Sequence, residues 1–485
     1  MSAIDEVLSE ALKEITPTQK EIDLIKNISE KLKTLLDKKA KELNITYKKI
    51  EPQGSTGIKQ TQLKNDFDID LFIGLDYNQF KPKYEGLSKR KLKKELKKDF
   101  LALCNKWILQ SLNLDKFYNP RLLYAEHPYV TVEYILNDIK LKIDIVLYFD
   151  LDLEYIKKNG PISSVDRSPW HGIFVRDKLT LKQKNDVRLL KQFFKACHSY
   201  GDKSPVGKVG FIGYSAELLI YYFQDLVNLF NNFSELNKKP LDFYSRNNEE
   251  LNTIPHFQDD YLIIIDPIDK NRNVASAISE KAYMYSNHKI NEFLKKPSLD
   301  FFNIEPILEA DLYDKKDPLL SHINIVELQN MNKEIHYTIN RDKLYSLGES
   351  IKANGEKEFS HVERFGKIIF EVYFEDEKDN YNLAIYCEKP HISDTYFRKG
   401  PPIKEIKHVI NFKRKNPGYI EKEGYLWVDT LREFNKFFDF LNEFVKNKIP
   451  DNFEVINIST AYNTKSSSGR KAITILKNMV LPFYL

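Results

Sequence analysis

Residues 53–75, QGSTGIKQTQLKNDFDIDLFIGL, form the stretch that decides the predicted fold. A Gly-Ser pair opens it, a polar loop follows, and from about Phe67 apolar and acidic residues alternate. Because the side chains of a strand point alternately to its two faces, Asp68 and Asp70 share one face and Ile69 lies on the other. The sequence therefore predicts a strand with two carboxylates side by side.

Adjacent carboxylates repel and raise each other's pKa unless a cation lies between them. Mg²⁺ suits such a position because it prefers oxygen ligands and is usually held by one or two carboxylates together with substrate phosphates. A D-x-D pattern is short and common, so two chance aspartates on a solvated strand face are the ordinary alternative. The upstream turn favours the metal, since Gly54 lets backbone approach an anion and Ser55 adds a hydroxyl and N–H groups. A turn for phosphate followed by a strand for metal indicates a nucleoside triphosphate site.

A third carboxylate follows in KLKIDIVLYF, residues 140–149. The alternation over residues 121–149 predicts a hairpin with its turn at Asn137-Asp138. Asp144 lies in the second arm between two isoleucines, on an otherwise core-directed strand. Burying an unpaired carboxylate is costly, so Asp144 needs a cation or a hydrogen-bond donor.

The composition indicates a soluble protein of several domains. A chain of 485 residues exceeds what one hydrophobic core usually serves, so two to four domains are expected. The net charge of +4 neither requires nor excludes nucleic acid. Three widely separated cysteines indicate neither a disulfide framework nor a zinc site, which fits a reducing compartment. The N-terminus has no signal-peptide core and the apolar runs are too short to span a bilayer, so we expect a cytoplasmic location and no membrane partner.

Other segments are placed more coarsely. The Lys-rich helix predicted at 88–112 has a basic face, and a solvated surface and an RNA-facing one both remain open. A loop and a short helix are expected at 266–279. Beyond about residue 287 we expect a mixed α/β region in which Lys, Arg and aromatic residues suit RNA contact. Its predicted elements are strands at 322–328, 367–374 and 382–388 and a helix at 431–446.

With these pieces in view, the chain resembles the class I, archaeal-type CCA-adding enzymes, within the nucleotidyltransferase superfamily typified by DNA polymerase beta. Each matching stretch is weak alone, but their order and spacing together are specific. The stretches are GST and DFDIDLFI from Gly54, HPYV at His127, KIDIV around Asp144, VDRSPWH at Val165, VRLLKQFFK at Val187, SYG at Ser199, GYSAELLI at Gly213, DP and RNVASA from Asp266, and KGPP at Lys399.

The resemblance implies an α+β multidomain architecture. A catalytic head of the polymerase-beta-like nucleotidyltransferase type is expected at 1–158, and a helical neck that binds nucleotide and primer at 159–286. A mixed α/β, RNA-binding body is expected from 287–345 together with 430–485. The remaining segment, 346–429, is the expected tail that binds the T arm of tRNA.

The implied function is template-independent addition and repair of the 3′-terminal CCA of tRNA, using CTP and ATP and releasing pyrophosphate, with two Mg²⁺ ions as cofactors. The acceptor stem and T arm of tRNA are the implied partners, and a homodimer is one open state of assembly. Two alternatives are kept. An oligoadenylate or cyclic-oligonucleotide synthase would share the turn and the D-x-D strand but needs no large C-terminal half. A non-catalytic tRNA-binding protein would have no reason to keep three acids facing RNA phosphates.

The resemblance also assigns roles to particular residues. The implied catalytic and metal-binding acids are Asp68, Asp70 and Asp144. The implied nucleotide-binding residues are Gly54, Ser55, Lys59, His171, Lys191 and Tyr200, and Arg272 is the implied base-selecting residue. Lys59 is placed by alignment around a loop that is one residue longer than in the family.

Most of these residue types suit their tasks, because Lys and Arg neutralise phosphate charge and a rigid Arg fork recognises base acceptors. Each also has a plainer alternative. His171 could be a packed core histidine, Lys191 a solvated helix residue, and Tyr200 core filler. Arg272 could cap a helix or pair with Asp269.

Overall fold

The computed structural model describes residues 2–112, 116–124, 127–136, 139–312, 317–358, 361–375 and 379–485. The chain is an α+β protein with two compact units, one of Met1–Gly201 with Val209–Ile304 and one of Asp202–Lys208 with Glu305–Leu485. The predicted hairpin turn at 137–138 lies outside the described residues. The finer division into head, neck, body and tail stays a prediction.

A five-stranded mixed sheet in the order β1-β2-β5-β4-β3 organises the first unit. Its strands are β1 (Lys49–Gln53), β2 (Asp68–Leu75), β3 (Phe117–Tyr124), β4 (Pro128–Leu136) and β5 (Ile139–Phe149). The D-x-D strand and the two arms of the hairpin are therefore confirmed. β2 pairs with β5 in parallel, whereas the other neighbouring strands are antiparallel.

The apolar face of this sheet forms the core of the first unit. Ile69 of β2 and Ile143 of β5 are buried there, and the helix that follows Thr18 buries Ile28 and Leu32 against the same cluster. Fully burying a side chain of this size stabilises the fold by roughly 1.5–3 kcal/mol. A slip of one residue in the pairing would move the acids into this core, so the alternation fixes the register.

Helices account for most of the rest of the first unit. They are α1 (Ala3–Ile15), α2 (Gln19–Glu42), α3 (Tyr77–Tyr84), α4 (Lys89–Leu103), α5 (Leu109–Ser111), α6 (Leu153–Asn159), α7 (Ser168–Lys178), α8 (Leu181–Ala196), α9 (Gly213–Phe223), α10 (Leu226–Asn232), α11 (Asn248–Asn252) and α12 (Glu280–Lys295). The predicted Lys-rich helix is present as α4, a π-helical turn at Cys104–Ile108, and α5.

The short helix expected at 266–279 is wrong. The segment is a series of turns, and the next helix is α12. The Asp266 carboxylate accepts a hydrogen bond from the Ile268 N–H, and the Asn273 side chain accepts one from the Ala275 N–H. Such local side-chain bonds compete with helix formation.

The second unit contains two antiparallel sheets, in the orders β12-β6-β8-β7 and β10-β11-β9. Their strands are β6 (Ile323–Asn330), β7 (Ile368–Tyr373), β8 (Asn380–Cys387), β9 (Thr395–Pro402), β10 (Ile420–Lys422), β11 (Tyr425–Leu431) and β12 (Phe453–Thr460). The helices are α13 (Tyr337–Glu356), α14 (Ile406–Lys415), α15 (Phe437–Lys448) and α16 (Ser467–Ile475). The three predicted strands are confirmed. The helix expected from 431 begins later, because Leu431 pairs with Thr395 in the sheet.

Two further observations concern the residues that the structure describes. None of their helices is both long and apolar enough to cross a membrane. The three cysteines are buried and form no disulfide.

The Asp166 carboxylate connects the end of β5 to the turn before α7. It is buried and accepts hydrogen bonds from the backbone N–H groups of Phe149 at 2.9 Å, Ile162 at 3.0 Å and Ser163 at 2.6 Å. Asp166→Ala leaves these three donors, two of them buried, without an acceptor, so the free energy of unfolding should fall by about 3 kcal/mol in a urea titration. The exposed Asp177→Ala is the control and should change stability little; equal stability of the two variants would contradict this role of Asp166.

Candidate active site

The pairing of β2 with β5 brings the three predicted acids to one face of the sheet. Asp70 lies directly opposite Asp144, and Asp68 lies opposite Lys142. Side chains at opposed positions of neighbouring strands point to the same face, and the strands are about 4.8 Å apart. The acids predicted from two distant segments are therefore neighbours.

Asp68 and Asp70 lie in an environment that disfavours their charge. Burial, followed by the charges of Asp144 and Asp68, raises the pKa of Asp70 to about 6. Burial is also the main cause that raises the pKa of Asp68. Lys142 Nζ lies 3.1 Å from Asp144 Oδ2, whereas Asp144 Oδ1 is buried and has no hydrogen-bond partner within the described ranges. The local charge is therefore only partly compensated by the protein.

The donor set on this face fits a divalent cation. It offers carboxylate oxygens, one of which, Asp144 Oδ1, is buried without a hydrogen-bond partner. The raised pKa values of Asp68 and Asp70 indicate that a cation at this position would stabilise their ionised forms. Among the residues that the structure describes, no group of three or more His, Cys, Asp or Glu side chains forms a finished metal cluster. The carboxylates would therefore have to move closer together when an ion binds, because they do not already form a complete coordination site.

The Gly-Ser turn packs directly against the second acid of the D-x-D strand. Gly54 has φ +69°, and a Cβ atom on it would lie 2.2 Å from Asp70 Oδ2. Residues Ser55–Lys59 then form a turn with a kink at Gly57. Thr56 connects this turn to β2, because its hydroxyl donates a 2.6 Å hydrogen bond to the Asp68 carbonyl. Only glycine allows both this conformation and this close approach.

Two cavities open beside the acids, and Asp70 and Asp144 line both. The smaller, of about 250 Å³, is also lined by Ser55, Lys191 and Tyr200. The larger, of about 520 Å³, is lined by the other four predicted residues, which are Gly54, Lys59, His171 and Arg272. All ten residues predicted for the site are thus on the walls of two cavities that share two carboxylates.

Two of the predicted cations meet at a carboxylate that the sequence analysis did not single out. Glu217 is buried, with Lys59 Nζ at 2.6 Å and Lys191 Nζ at 3.7 Å from its oxygens. Thr61 joins them, donating its hydroxyl to Glu217 at 2.7 Å and accepting from Lys191 at 3.0 Å. Burial opposes the charge of Glu217, but Lys59 and Lys191 outweigh it and lower the pKa of this carboxyl. The available signal was a lone acid within the apolar stretch GYSAELLI.

Lys191 is not the solvated helix residue that was the plainer alternative. It is 4% exposed, and burial lowers its pKa to about 8. Tyr200 also faces the smaller cavity, and burial raises the pKa of its hydroxyl.

A second buried carboxylate, Asp266, holds His171, a predicted nucleotide-binding residue, and Arg272, the predicted base-selecting residue. His171 Nε2 and Arg272 Nη1 each lie 2.8 Å from Asp266 Oδ2. The alternative pairing of Arg272 with Asp269 is wrong, because Asp269 pairs with Arg167 at 2.6 Å. His171 is buried, as its plainer alternative requires, yet it also lies on the wall of the larger cavity.

Comparison with known proteins gives an independent view of the chain. Residues 185–303 match the family described as tRNA nucleotidyltransferase, second domain. The CCA-adding enzyme of Pyrobaculum aerophilum is 28% identical over 447 residues, covering 90% of this chain and 94% of that protein. The CCA-adding enzyme of Methanocaldococcus jannaschii is 26% identical, with 92% of each chain covered. Among solved structures, a cytoplasmic RNA terminal U-transferase aligns at 14% identity with a TM-score of 0.45, over 63% of this chain and 99% of its own.

The close approach of Gly54 to Asp70 generates a stability prediction. Gly54→Ala should lower the free energy of unfolding, because the added Cβ must displace Asp70 and the backbone conformation is strained in any residue but glycine. Gly86→Ala is a matched control, since Gly86 has φ +77° and open space where a Cβ would lie. We expect Gly54→Ala to cost at least about 1 kcal/mol more than Gly86→Ala in denaturant titrations, the excess being the steric clash. Equal losses would show that Asp70 does not pack on the turn.

Proposed function

We propose that this chain, which belongs to the archaeal-type CCA-adding enzymes within the polymerase-beta-like nucleotidyltransferases, adds and repairs the 3′-terminal CCA of tRNA from CTP and ATP without a template. The observation that carries this conclusion is the similarity to CCA-adding enzymes over about nine tenths of the chain. The match to a tRNA nucleotidyltransferase domain supports it. The paired acids and adjoining buried cations supply groups suited to transfer of a nucleotide from a triphosphate.

We propose that Asp68, Asp70 and Asp144 hold two Mg²⁺ ions in the working enzyme. The opposed positions of Asp70 and Asp144 and the orphaned Oδ1 of Asp144 support this assignment. When bound, such ions lower the pKa of an attacking hydroxyl and stabilise the departing pyrophosphate. The carboxylates would orient these charges beside the 3′ end of the RNA.

The cations and the turn would bind the triphosphate. Ser55 offers a hydroxyl on the wall of the smaller cavity, where Lys191 and Tyr200 also lie, and Lys59 approaches from the larger cavity. Because Glu217 neutralises only one of its two lysines, the cluster keeps an excess positive charge suited to an anionic ligand. Positioning and charge neutralisation account for most catalysis in phosphoryl transfer, so no covalent intermediate is assigned.

The larger cavity would receive the incoming base and the RNA terminus. Arg272 lies on its wall with 31% of its side chain exposed, so part of its guanidinium group is available for hydrogen bonds. A planar guanidinium can recognise the acceptor atoms of a base. We assign base selection to Arg272.

We propose further that the tRNA is bound through its acceptor stem and T arm and that the protein acts in the cytoplasm, with a homodimer as one open state of assembly. Helix α14 of the second unit supports RNA binding, because it buries none of its residues and ends in Lys413, Arg414 and Lys415. Phosphate contacts by such cations bind RNA with little dependence on sequence.

The function predicts an ordered extension reaction. With a tRNA transcript that lacks its last three nucleotides, we expect two additions from CTP alone, three from CTP with ATP, and none from ATP alone, as resolved on sequencing gels. Oligonucleotide or cyclic products from ATP without RNA would instead support the synthase alternative. If the protein binds the transcript but extends it with none of these nucleotide mixtures, the result would support the alternative of a non-catalytic tRNA-binding protein.

Removal of one acid should abolish the reaction without removing the RNA. We expect Asp144→Asn to lower kcat at least about 10³-fold, because charge stabilisation at the reacting centre is lost, while the Kd for tRNA changes less than about threefold. Glu133→Gln is the control, since Glu133 lies on β4 opposite Lys142 and pairs with Lys140. Near-normal kcat in Asp144→Asn would overturn the metal assignment.

Nucleotide affinity should depend on the protonation of Lys191. Its pKa, lowered to about 8 by burial, means that the lysine is charged at pH 7 and largely neutral at pH 9. The KM for CTP should therefore rise about tenfold between pH 7 and pH 9. Lys191→Met should have a high KM that no longer changes over this range.

The control for this pH series is Lys195→Met, one turn further along α8 on the wall of the same cavity. This variant should retain the wild-type dependence of KM on pH. A wild-type KM that stays flat between pH 7 and pH 9 would contradict the role of Lys191.

A further inference from the structure

Asp266 is a fully buried acid beside the larger cavity. Its side chain has no exposed surface, and its backbone belongs to a closed loop in which the Asp266 N–H donates to the Arg272 carbonyl at 2.9 Å. The Arg272 N–H in turn donates to the Asp269 carbonyl at 3.0 Å. These backbone hydrogen bonds therefore fix the position of Asp266 relative to Arg272.

Four donors converge on the two oxygens of this carboxylate. Oδ1 accepts from the Tyr214 hydroxyl at 3.1 Å and from the Ile268 N–H at 3.0 Å. Oδ2 lies 2.8 Å from both Arg272 Nη1 and His171 Nε2. The rings of His171 and Tyr214 stack on each other at 4.2 Å between centroids. One carboxylate thus joins side chains from α7, α9 and the 266–272 loop.

The charges in this cluster keep Asp266 ionised. Burial would raise the pKa of its carboxyl, but His171 and Arg272 outweigh burial and hold that pKa well below its usual range. Burial is also the main cause that lowers the pKa of His171, whereas Arg272 supplies a positive charge 2.8 Å from the Asp266 carboxylate. Removing the carboxylate would leave the arginine beside the cavity without its anchor.

The three side-chain partners of the Asp266 carboxylate are on the wall of the larger cavity, which Asp70 and Asp144 also line. A free arginine side chain has many rotamers, and a site discriminates well only when its hydrogen-bonding groups are held in place before the ligand arrives. Asp266 itself is not among the residues on the cavity wall. Any effect of Asp266 on nucleotide choice therefore passes through the groups that it holds.

We infer that Asp266 is a positioning residue that fixes Arg272, together with His171 and Tyr214, as one rigid wall of the larger cavity and thereby sets which nucleotides the site accepts. This inference rests on the proposed function, because it assigns Arg272 to base selection. The ligand concerned is a nucleoside triphosphate whose base accepts hydrogen bonds from the Arg272 guanidinium group. No contact between Asp266 and the nucleotide is required.

The test compares Asp266→Asn with Asp269→Asn in the full-length protein. Asp269 lies in the same loop and also pairs with an arginine, Arg167, so the two substitutions remove the same kind of interaction. The readout is the ratio of kcat/KM for CTP to that for UTP on a tRNA lacking its last three nucleotides. We expect this ratio to fall at least tenfold in Asp266→Asn and to stay within twofold of wild type in Asp269→Asn.

A double-mutant cycle separates positioning from general damage. If Asp266 acts through Arg272, Asp266→Asn should lower the CTP/UTP ratio in the wild-type background but not further in an Arg272→Gln background. If the losses of the CTP/UTP ratio in Asp266→Asn and Arg272→Gln instead multiply in the double variant, the inference is overturned. A wild-type enzyme that adds no nucleotide to tRNA would refute the proposed function instead, so the two failures are distinct.

A milder variant keeps the test decisive if Asp266→Asn does not fold. Tyr214→Phe removes one hydroxyl donor to Oδ1 and keeps the ring that stacks on His171. We expect a two- to fivefold loss of the CTP/UTP ratio with the thermal unfolding midpoint nearly unchanged. An unchanged ratio in Tyr214→Phe would overturn the inference.

Discussion

The parallel pairing of β2 with β5 is the constraint on which the site depends. It places Asp70 directly opposite Asp144, on the face of the sheet that is not buried in the apolar core. Neither carboxylate can move away without breaking the register that buries the alternating isoleucines. The fold thus holds two carboxylates close together despite their electrostatic repulsion. Such an arrangement is expected at functional sites rather than in structural cores.

Two buried carboxylates organise the remaining charges around this pair. Glu217 holds Lys59 and Lys191, and Asp266 holds His171 and Arg272. In each case an anion below the cavity wall fixes cationic or polar groups that face the cavity. Groups held in this way need little reorganisation when an anionic ligand binds, which is the usual basis of electrostatic catalysis.

The sequence predicted those parts of the site that depend on local pattern. Alternation located β2 and β5, and with the family resemblance it placed Asp68, Asp70 and Asp144 correctly on neighbouring strands. It could not find Glu217 or Asp266 as anchors, because their partners Lys59 and His171 are 158 and 95 residues away. Hydrophobic periodicity also predicted a helix wrongly after Asp266, where side chains form local hydrogen bonds with the backbone. It placed the start of another helix too early at Leu431, because this residue ends a strand.

We propose that Asp70 of β2 and Asp144 of β5 bind a common divalent ion. The decisive measurement is made on a crystal of the protein soaked with Mn²⁺ and a non-hydrolysable CTP analogue, with data collected at the manganese absorption edge. We predict an anomalous peak with oxygens of Asp70 and Asp144 both at about 2.2 Å, the distance usual for small divalent cations. A peak elsewhere, or density for the analogue with neither acid touching a metal, would contradict the account.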